Sequence, residues 1–288
     1  MLIIDGKKIA EEIIGELKKM PKPDKMLAAV LVGSAGSLQA AQSESFLRQK
    51  ENIAKQLGIA FHLYKYDESI TEEDLIKEIK KLGEDGQIGG IIVQLPLPAH
   101  YDRDRILTAI NPKKDIDALT TESRKYIDPL SVAVVKDILK TYNFKLETKT
   151  VAVVGRGLLV GKPIAEWLNG RCGKLLLLNS KSNILEIKEA DLVITGVGKA
   201  GLIKPEMLKS GAGIIDFGYS LVERGSQTNA DRTQNNAEKI KKKLYGDFDY
   251  SKLINSLTHQ LAFYTPTPGG TGPILVAEIF KNFYKLNS

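Results

Sequence analysis

Lys50 interrupts an apolar stripe in the segment that leads to Gly58. Phe46, Ile53 and Leu57 fall on one side of a predicted helix, and Lys50 lies between them on that side. One interpretation is a lysine that lays its stem on the core and keeps its ammonium in water. In a cleft, desolvation would instead lower its pKa and suit it to proton transfer. The pattern alone leaves both interpretations open.

Three further polar residues stand where they could serve the same chemistry. Ser43 is one helical repeat before Phe46, on the same side. Gln94 ends a buried strand, where a parallel sheet presents residues to its crevice, although a simple strand-end cap also explains it. Asp117, in the sequence K-D-I-D, fits either a ligand or a turn residue. None of these residues establishes a function by itself.

A glycine-rich turn follows a predicted strand at 149–154 and precedes a predicted helix at 162–168. In a phosphate-binding turn the first glycine permits the bend, the second lets a pyrophosphate approach the backbone, and the helix offers free N–H groups. The spacing departs by one residue from G-x-G-x-x-G, so a plain strand-to-helix turn is the alternative. The context favours a dinucleotide site whose candidate residues are Gly155, Arg156, Gly157 and Gly161.

The residues after the next strand favour NADP over NAD. NAD sites usually place an Asp or Glu about 20 residues beyond the glycine turn, where it binds the ribose hydroxyls. Here Leu175–Leu178 is followed by Asn-Ser-Lys-Ser at 179–182, which supplies donors without a negative charge. Ser180 and Arg156 are therefore candidates to bind a 2′-phosphate.

Composition describes an ordinary globular chain of 288 residues, 43% hydrophobic and 26% charged. The sequence has no apolar stretch long enough for a membrane span and no secretory signal, so we expect a cytoplasmic protein with no membrane partner. One cysteine and three scattered histidines give no metal-ligand spacing, so we expect no metal. The net charge of +6 is spread along the chain, which favours a lysine-rich solvated surface over a nucleic-acid partner.

Predicted strands and helices alternate along the chain, which indicates an α/β protein with parallel sheets. Its length favours two domains. The first comprises residues 1–143 plus 274–288, because the last helix could fold back on it. The second, residues 144–273, is a doubly wound Rossmann domain, with the expected site in the cleft between the two domains. A polar excursion at 226–243 is predicted to lie on the surface.

In order along nearly the whole chain, these residues resemble the bifunctional methylenetetrahydrofolate dehydrogenase/cyclohydrolase family. The opening I-D-G-K at 4–7 and V-Q-L-P-L-P at 93–98 look like family motifs, and K-D-I-D at 114–117 is similar to K-D-V-D. The turn at 155–163 resembles G-R-S-x-x-V-G-x-P, and T-P-T-P-G-G-T-G-P at 265–273 resembles T-P-V-P-G-G-V-G-P. Several specific matches in one order identify the family better than any single motif.

The resemblance implies a role for each candidate. Lys50 corresponds to the family's catalytic lysine, Gln94 to its hydrogen-bonded partner and Asp117 to the carboxylate that anchors the pterin. The implied substrate-binding residues are Ser43, Phe46, Leu95, Pro268, Gly269 and Gly270. The implied NADP-binding residues are Gly155, Arg156, Gly157, Gly161, Ser180 and Tyr219. The substrates would be tetrahydrofolate derivatives, and the protein would be a homodimer.

The resemblance also implies two reactions at one site. Methylenetetrahydrofolate would lose a hydride to NADP, and water would then open the methenyl product to 10-formyltetrahydrofolate, with Lys50 as proton carrier. Several departures from the family pattern bear on the second reaction and on the folate pocket. Phe46 stands where the family has a tyrosine, Ala118 replaces the glycine of K-D-V-D-G, and P-L-S-V at 129–132 replaces P-C-T-P. The alternatives are a monofunctional dehydrogenase and a non-catalytic, basic nucleic-acid-binding relative.

Overall fold

The computed structural model describes residues 1–33, 38–223, 242–255 and 260–288. The chain divides into two compact units. The Lys50 unit comprises residues 7–137 and 273–288, and the Gly155 unit comprises residues 1–6 and 138–272. Residues 1–6, which the sequence analysis places in the first domain, lie in the Gly155 unit because Leu2 and Ile3 pair in parallel with Phe263 and Tyr264.

The strands and helices of the Lys50 unit are α1 (Gly6–Leu17), whose first residue belongs to the other unit, β2 (Met26–Val32), α2 (Leu38–Leu57), β3 (Phe61–Tyr66), α3 (Glu72–Glu84), β4 (Ile88–Val93) and α4 (Arg103–Thr108). The three strands form a parallel sheet with strand order β3-β2-β4. Two more helices, α5 (Leu130–Thr141) and α7 (Thr271–Asn287), each continue from one unit into the other.

The Gly155 unit contains a six-stranded parallel sheet with strand order β1-β11-β8-β7-β5-β6. Its elements are β1 (Leu2–Ile3), β5 (Thr150–Val154), α6 (Gly161–Leu168), β6 (Lys174–Leu178), β7 (Leu192–Thr195), β8 (Gly213–Asp216) and β11 (Phe263–Tyr264). A separate antiparallel pair is formed by β9 (Ser220–Glu223) and β10 (Lys242–Tyr245). Most of the predicted polar excursion at 226–243 lies outside the described residues.

These observations confirm the predicted α/β class and its parallel sheets. Every residue of β4 is buried, and so are six of the seven in β2, as expected for strands covered on both faces. The start of α3 follows from its local sequence, because Thr71 caps the helix by accepting a hydrogen bond from the Asp74 N–H at 3.1 Å. Hydrophobic periodicity therefore located the elements that position the candidate residues.

The strand order of the larger sheet defines where a dinucleotide would bind. From β5 the chain passes to β6 on one side and later to β7 on the other. The loops after β5 and β7 therefore diverge at the carboxyl ends of adjacent strands. In open α/β sheets this topological switch point is the position of the ligand crevice.

Candidate functional site

Helix α2 and strand β4 bring Lys50 and Gln94 together. The Lys50 Nζ donates a hydrogen bond to the Gln94 Oε1 at 3.0 Å. The Gln94 amide is oriented by its own Nε2, which donates to the Leu95 carbonyl at 2.7 Å, and its backbone N–H donates to Val30 at 2.9 Å. The acceptor oxygen of Gln94 is therefore held facing the lysine.

Burial and charge act in opposite directions on the two ionisable groups of this site. Burial lowers the pKa of Lys50, and the Asp117 carboxylate partly opposes that effect. Burial raises the pKa of Asp117, and Lys50 partly opposes it. A lysine with a lowered pKa is suited to take up and release protons near neutral pH.

Asp117 carries a buried carboxylate oxygen, Oδ1, that accepts no hydrogen bond from the described residues. A buried acceptor without a donor costs about 1–3 kcal/mol, so such atoms in native proteins call for an explanation. A polar ligand that donates a hydrogen bond to Asp117 would explain this unpaired oxygen.

The loop that carries Asp117 is held by residues that the sequence analysis did not single out. Asp115 Oδ2 accepts hydrogen bonds from the Leu119 N–H at 2.9 Å and the Ser123 hydroxyl at 2.6 Å. Asn282 of α7 donates to the Ile116 carbonyl at 2.9 Å. The one signal in the sequence was Asp115, the first acidic residue of K-D-I-D. Together these bonds fix the backbone on both sides of Asp117.

The other predicted substrate-binding residues are divided between the units. Ser43 is buried on α2, and Phe46 and Leu95 are half-buried in the same unit. Pro268, Gly269 and Gly270 belong to the Gly155 unit, in the turn before α7. A Cβ atom at Gly6 would overlap the Gly270 carbonyl, and the Gly6 N–H donates to the Gly269 carbonyl at 3.0 Å. The motifs at 4–7 and 265–273 are therefore parts of one backbone contact.

The glycine turn has the geometry that a dinucleotide requires. Gly155 has a φ of 93°, which favours glycine, and a Cβ atom at Gly161 would overlap the Gly155 carbonyl. A Cβ atom at Gly157 would meet nothing within 4 Å, so the backbone there is open to a ligand. Helix α6 begins at Gly161, directly after the turn. The turn thus fits a pyrophosphate at a helix N-terminus.

The predicted 2′-phosphate residues lie at the same edge of the sheet. Arg156 is exposed in the glycine turn, and Ser180 is exposed two residues after β6 ends. Tyr219, the remaining predicted cofactor residue, is exposed between β8 and β9. The edge therefore offers cationic and hydroxyl donors to an anion.

Among the described residues, no group of three or more His, Cys, Asp or Glu side chains is arranged to hold a metal ion. In the same part of the chain, no helix combines the length and apolar character needed to cross a membrane.

Comparison with known proteins agrees with this geometry. Residues 4–117 match the tetrahydrofolate dehydrogenase/cyclohydrolase catalytic domain, and residues 129–288 match the NAD(P)-binding domain of the same family. The chain is 33% identical to the bifunctional protein FolD of Nautilia profundicola, over 99% of this chain and 96% of that protein.

Solved structures show the same similarity. The bifunctional FolD enzyme of Campylobacter jejuni is 27% identical with a TM-score of 0.84, covering 100% of this chain and 98% of that one. The FolD enzyme of Trypanosoma brucei, solved with NADP and an inhibitor, is 26% identical with a TM-score of 0.83, covering 99% and 96%. The similarity thus extends over both units.

Proposed function

Because the chain belongs to the tetrahydrofolate dehydrogenase/cyclohydrolase family and has that family's activity, we propose that Lys50 and Gln94 carry the proton transfers of the reaction. The hydrogen bond between Lys50 Nζ and Gln94 Oε1 is the observation that supports this assignment. It joins a lysine whose pKa burial lowers to a side chain whose orientation is fixed.

The dehydrogenase step needs no strong base from Lys50 or Gln94. When bound at the glycine turn, the dinucleotide would supply a nicotinamide carbon as acceptor for the hydride from the methylene carbon of methylenetetrahydrofolate, and the folate would be left as a methenyl cation. This step depends on placing the two carbons in contact rather than on a strong base. Asp117 is proposed to anchor the pterin, because its buried Oδ1 can accept a hydrogen bond from the pterin's N–H groups.

The cyclohydrolase step needs a proton carrier. Neutral Lys50 takes a proton from the water that attacks the methenyl carbon, which gives a neutral carbinol. The bond from that carbon to N5 then breaks, N5 gains a proton from the Lys50 ammonium, and the carbinol proton leaves to solvent. The products are 10-formyltetrahydrofolate and one released proton. Gln94 keeps the lysine aimed at the reacting carbon.

Phe46 bears on the balance between the two activities. It is half-buried one helical turn before Lys50 on α2, and its ring has no hydroxyl to donate or accept a proton. The ring can still stack on the aryl group of the folate. We therefore propose that dehydrogenation is retained and hydrolysis is slow, with a monofunctional dehydrogenase as the limiting case.

A spectroscopic assay separates these outcomes. The protein is mixed with methylenetetrahydrofolate and NADP, and absorbance reports the reduced cofactor, the methenyl product and its decay. Decay faster than the spontaneous rate establishes hydrolysis, and Phe46→Tyr should accelerate it. Decay at the spontaneous rate in wild type identifies a monofunctional enzyme. Absence of cofactor reduction contradicts the proposal.

NADP is the proposed cofactor. Arg156 and Ser180 can bind a 2′-phosphate, and the residues that follow β6 supply no carboxylate to bind the ribose hydroxyls. The Trypanosoma brucei relative was solved with NADP. Titration with NADP and NAD tests the preference, and equal affinities would refute it. Arg156→Ala should weaken binding of NADP much more than binding of NAD.

A homodimer is proposed to form along β6. This strand is at the edge of the six-stranded sheet, and Leu177 on it is 39% exposed. Leu175, Leu177 and Ala165 line a depression of about 600 Å³ beside α6. Light scattering of wild type and Leu177→Lys tests this face, because a buried lysine should dissociate the dimer. The proposed compartment is the cytoplasm, where cell fractionation should find the protein.

A further inference from the structure

The loop after β7 forms one wall of the dinucleotide crevice. A Cβ atom at Gly155 would lie 3.1 Å from the Val197 side chain, and one at Gly196 would lie 2.6 Å from Val160. The loop at 196–199 is therefore packed against the glycine turn at the switch point of the sheet. Val197 is 45% exposed, so the loop also presents an apolar surface.

A single buried carboxylate holds this loop. Asp247 is 0% exposed and lies after β10, about fifty residues further along the chain. Its Oδ2 accepts hydrogen bonds from the Val197 N–H and the Thr195 hydroxyl, each at 2.7 Å. Its Oδ1 accepts from the Lys199 N–H at 2.7 Å. Both carboxylate oxygens are therefore committed to the end of β7 and its loop.

Asp247 is itself fixed on the opposite side. A Cβ atom at Gly218 would overlap the Asp247 carboxylate, so the backbone after β8 closes over it. The Asp247 carbonyl accepts a hydrogen bond from the Ile203 N–H at 2.9 Å. Three short hydrogen bonds, two from backbone N–H groups and one from a hydroxyl, converge on this one side chain. The loop is therefore held in place before any cofactor arrives.

We propose that Asp247 is a positioning residue for the dinucleotide, because it holds the 196–199 loop in the conformation that the cofactor meets. The residue touches no reacting atom and acts through the loop. This inference rests on NAD(P) binding by the Gly155 unit and is independent of the roles assigned to Lys50 and Gln94.

Asp247→Asn is the direct test. The asparagine side chain has the size of the aspartate side chain. Its NH2 group is a donor, however, and would face a backbone N–H or a hydroxyl that also donates. Loss of a hydrogen bond to a charged acceptor should raise the Kd for NADPH by about 10- to 100-fold. Amide hydrogen exchange at Val197 and Lys199 should accelerate without ligand, which reports the loop without reference to activity.

Two comparisons separate positioning from general destabilisation. Hydrolysis of methenyltetrahydrofolate consumes no dinucleotide, so its rate should be retained while the KM for NADP rises. Asp191→Asn is a matched control, because Asp191 accepts a hydrogen bond from the Thr150 N–H at 2.9 Å at the opposite end of the same sheet. It should lower stability without changing the Kd for NADPH.

Several results would overturn the proposal. One is an unchanged Kd for NADPH in folded Asp247→Asn, and another is an equal rise of that Kd in Asp191→Asn. A third is that Asp247→Asn loses methenyltetrahydrofolate hydrolysis together with NADPH binding. If Asp247→Asn does not fold, Thr195→Val replaces it, since this change removes only the hydroxyl donor to Asp247. That variant should raise the Kd severalfold and accelerate exchange at Val197, and a wild-type Kd would refute the role.

Discussion

Replacing Gln94 should move the pKa of Lys50 in either direction, depending on the new side chain. In wild type the Lys50 Nζ donates to the Gln94 Oε1 at 3.0 Å. Gln94→Leu removes this acceptor and introduces an apolar side chain of similar size. Gln94→Glu places a carboxylate at the same position. The two variants therefore change the same contact with opposite sign.

The size of each shift follows from this contact. A hydrogen bond to a charged group contributes about 1.5–3 kcal/mol and one between neutral groups about 0.5–1.5 kcal/mol, so the Gln94 oxygen favours the ammonium over the neutral amine by about 1–1.5 kcal/mol. One pKa unit corresponds to about 1.4 kcal/mol, so Gln94→Leu should lower the pKa of Lys50 by up to about one further unit. A carboxylate at 3.0 Å attracts the ammonium by several kcal/mol at an effective dielectric constant of about 20. Gln94→Glu should therefore raise the pKa by at least about one unit.

The assay is the pH dependence of methenyltetrahydrofolate hydrolysis, corrected at each pH for the spontaneous rate. If neutral Lys50 is the base, the catalysed rate rises with pH through the lysine pKa. The rising limb should move to lower pH in Gln94→Leu and to higher pH in Gln94→Glu. Thermal unfolding serves as the control for folding, since Gln94 belongs to the Lys50 unit and NADPH is proposed to bind the Gly155 unit. If the rising limb of the pH–rate profile stays at the same pH, or moves in the same direction in both folded variants, this role of the lysine is refuted.

Three further predictions concern other parts of the molecule. Burial, reinforced by Asp137, raises the pKa of Glu278 from 4.5 to about 8. Between these pH values the folded protein keeps a proton that the unfolded chain releases, so the free energy of unfolding falls as pH rises from about 4.5 to about 8. Glu278→Gln should reduce that loss when guanidinium unfolding is compared at pH 6 and pH 9, and an equal loss in both proteins would contradict the assignment. Ser123→Ala removes the hydroxyl that donates to Asp115 at 2.6 Å and should cost about 1–2 kcal/mol in the free energy of unfolding, whereas a loss below about 0.5 kcal/mol would show that the bond contributes little. Gly161→Ala should lower thermal stability and weaken NADPH binding more than tenfold, because its Cβ would overlap the Gly155 carbonyl. Gly157→Ala has open space around its Cβ and should unfold at the same temperature as wild type. Equal thermal stability of the two variants would refute this steric argument.

The sequence predicted those features that depend on local pattern. Periodicity placed α2 and β4, and the strand, glycine turn and helix predicted around Gly155 are present as β5, its turn and α6. The stripe of α2 also showed that Lys50 was out of place on an apolar face. These signals span only a few residues, so they can be recognised before the tertiary fold is known.

Features that depend on distant contacts were not predictable in the same way. The two residues of β1 have too short a pattern to identify a strand, and they form one only by pairing with β11. Asp247 meets the loop at 196–199 only after β7 and β10 are in place. The bonds from Asp115 to Ser123 and from Asn282 to Ile116 likewise join segments that periodicity treats separately. Positioning residues of this kind require the structure.

The central claim is that Lys50 carries the proton in hydrolysis but is not required as a base in dehydrogenation. Lys50→Met tests it most directly, because methionine keeps an unbranched apolar stem and removes the ammonium. Reduced NADP and methenyl decay are followed in one cuvette for wild type and variant, with thermal unfolding as the folding control. The account predicts that methenyl decay falls to the spontaneous rate while the variant still reduces NADP. Decay in the variant that remains faster than the spontaneous rate, and as fast as in wild type, would contradict it.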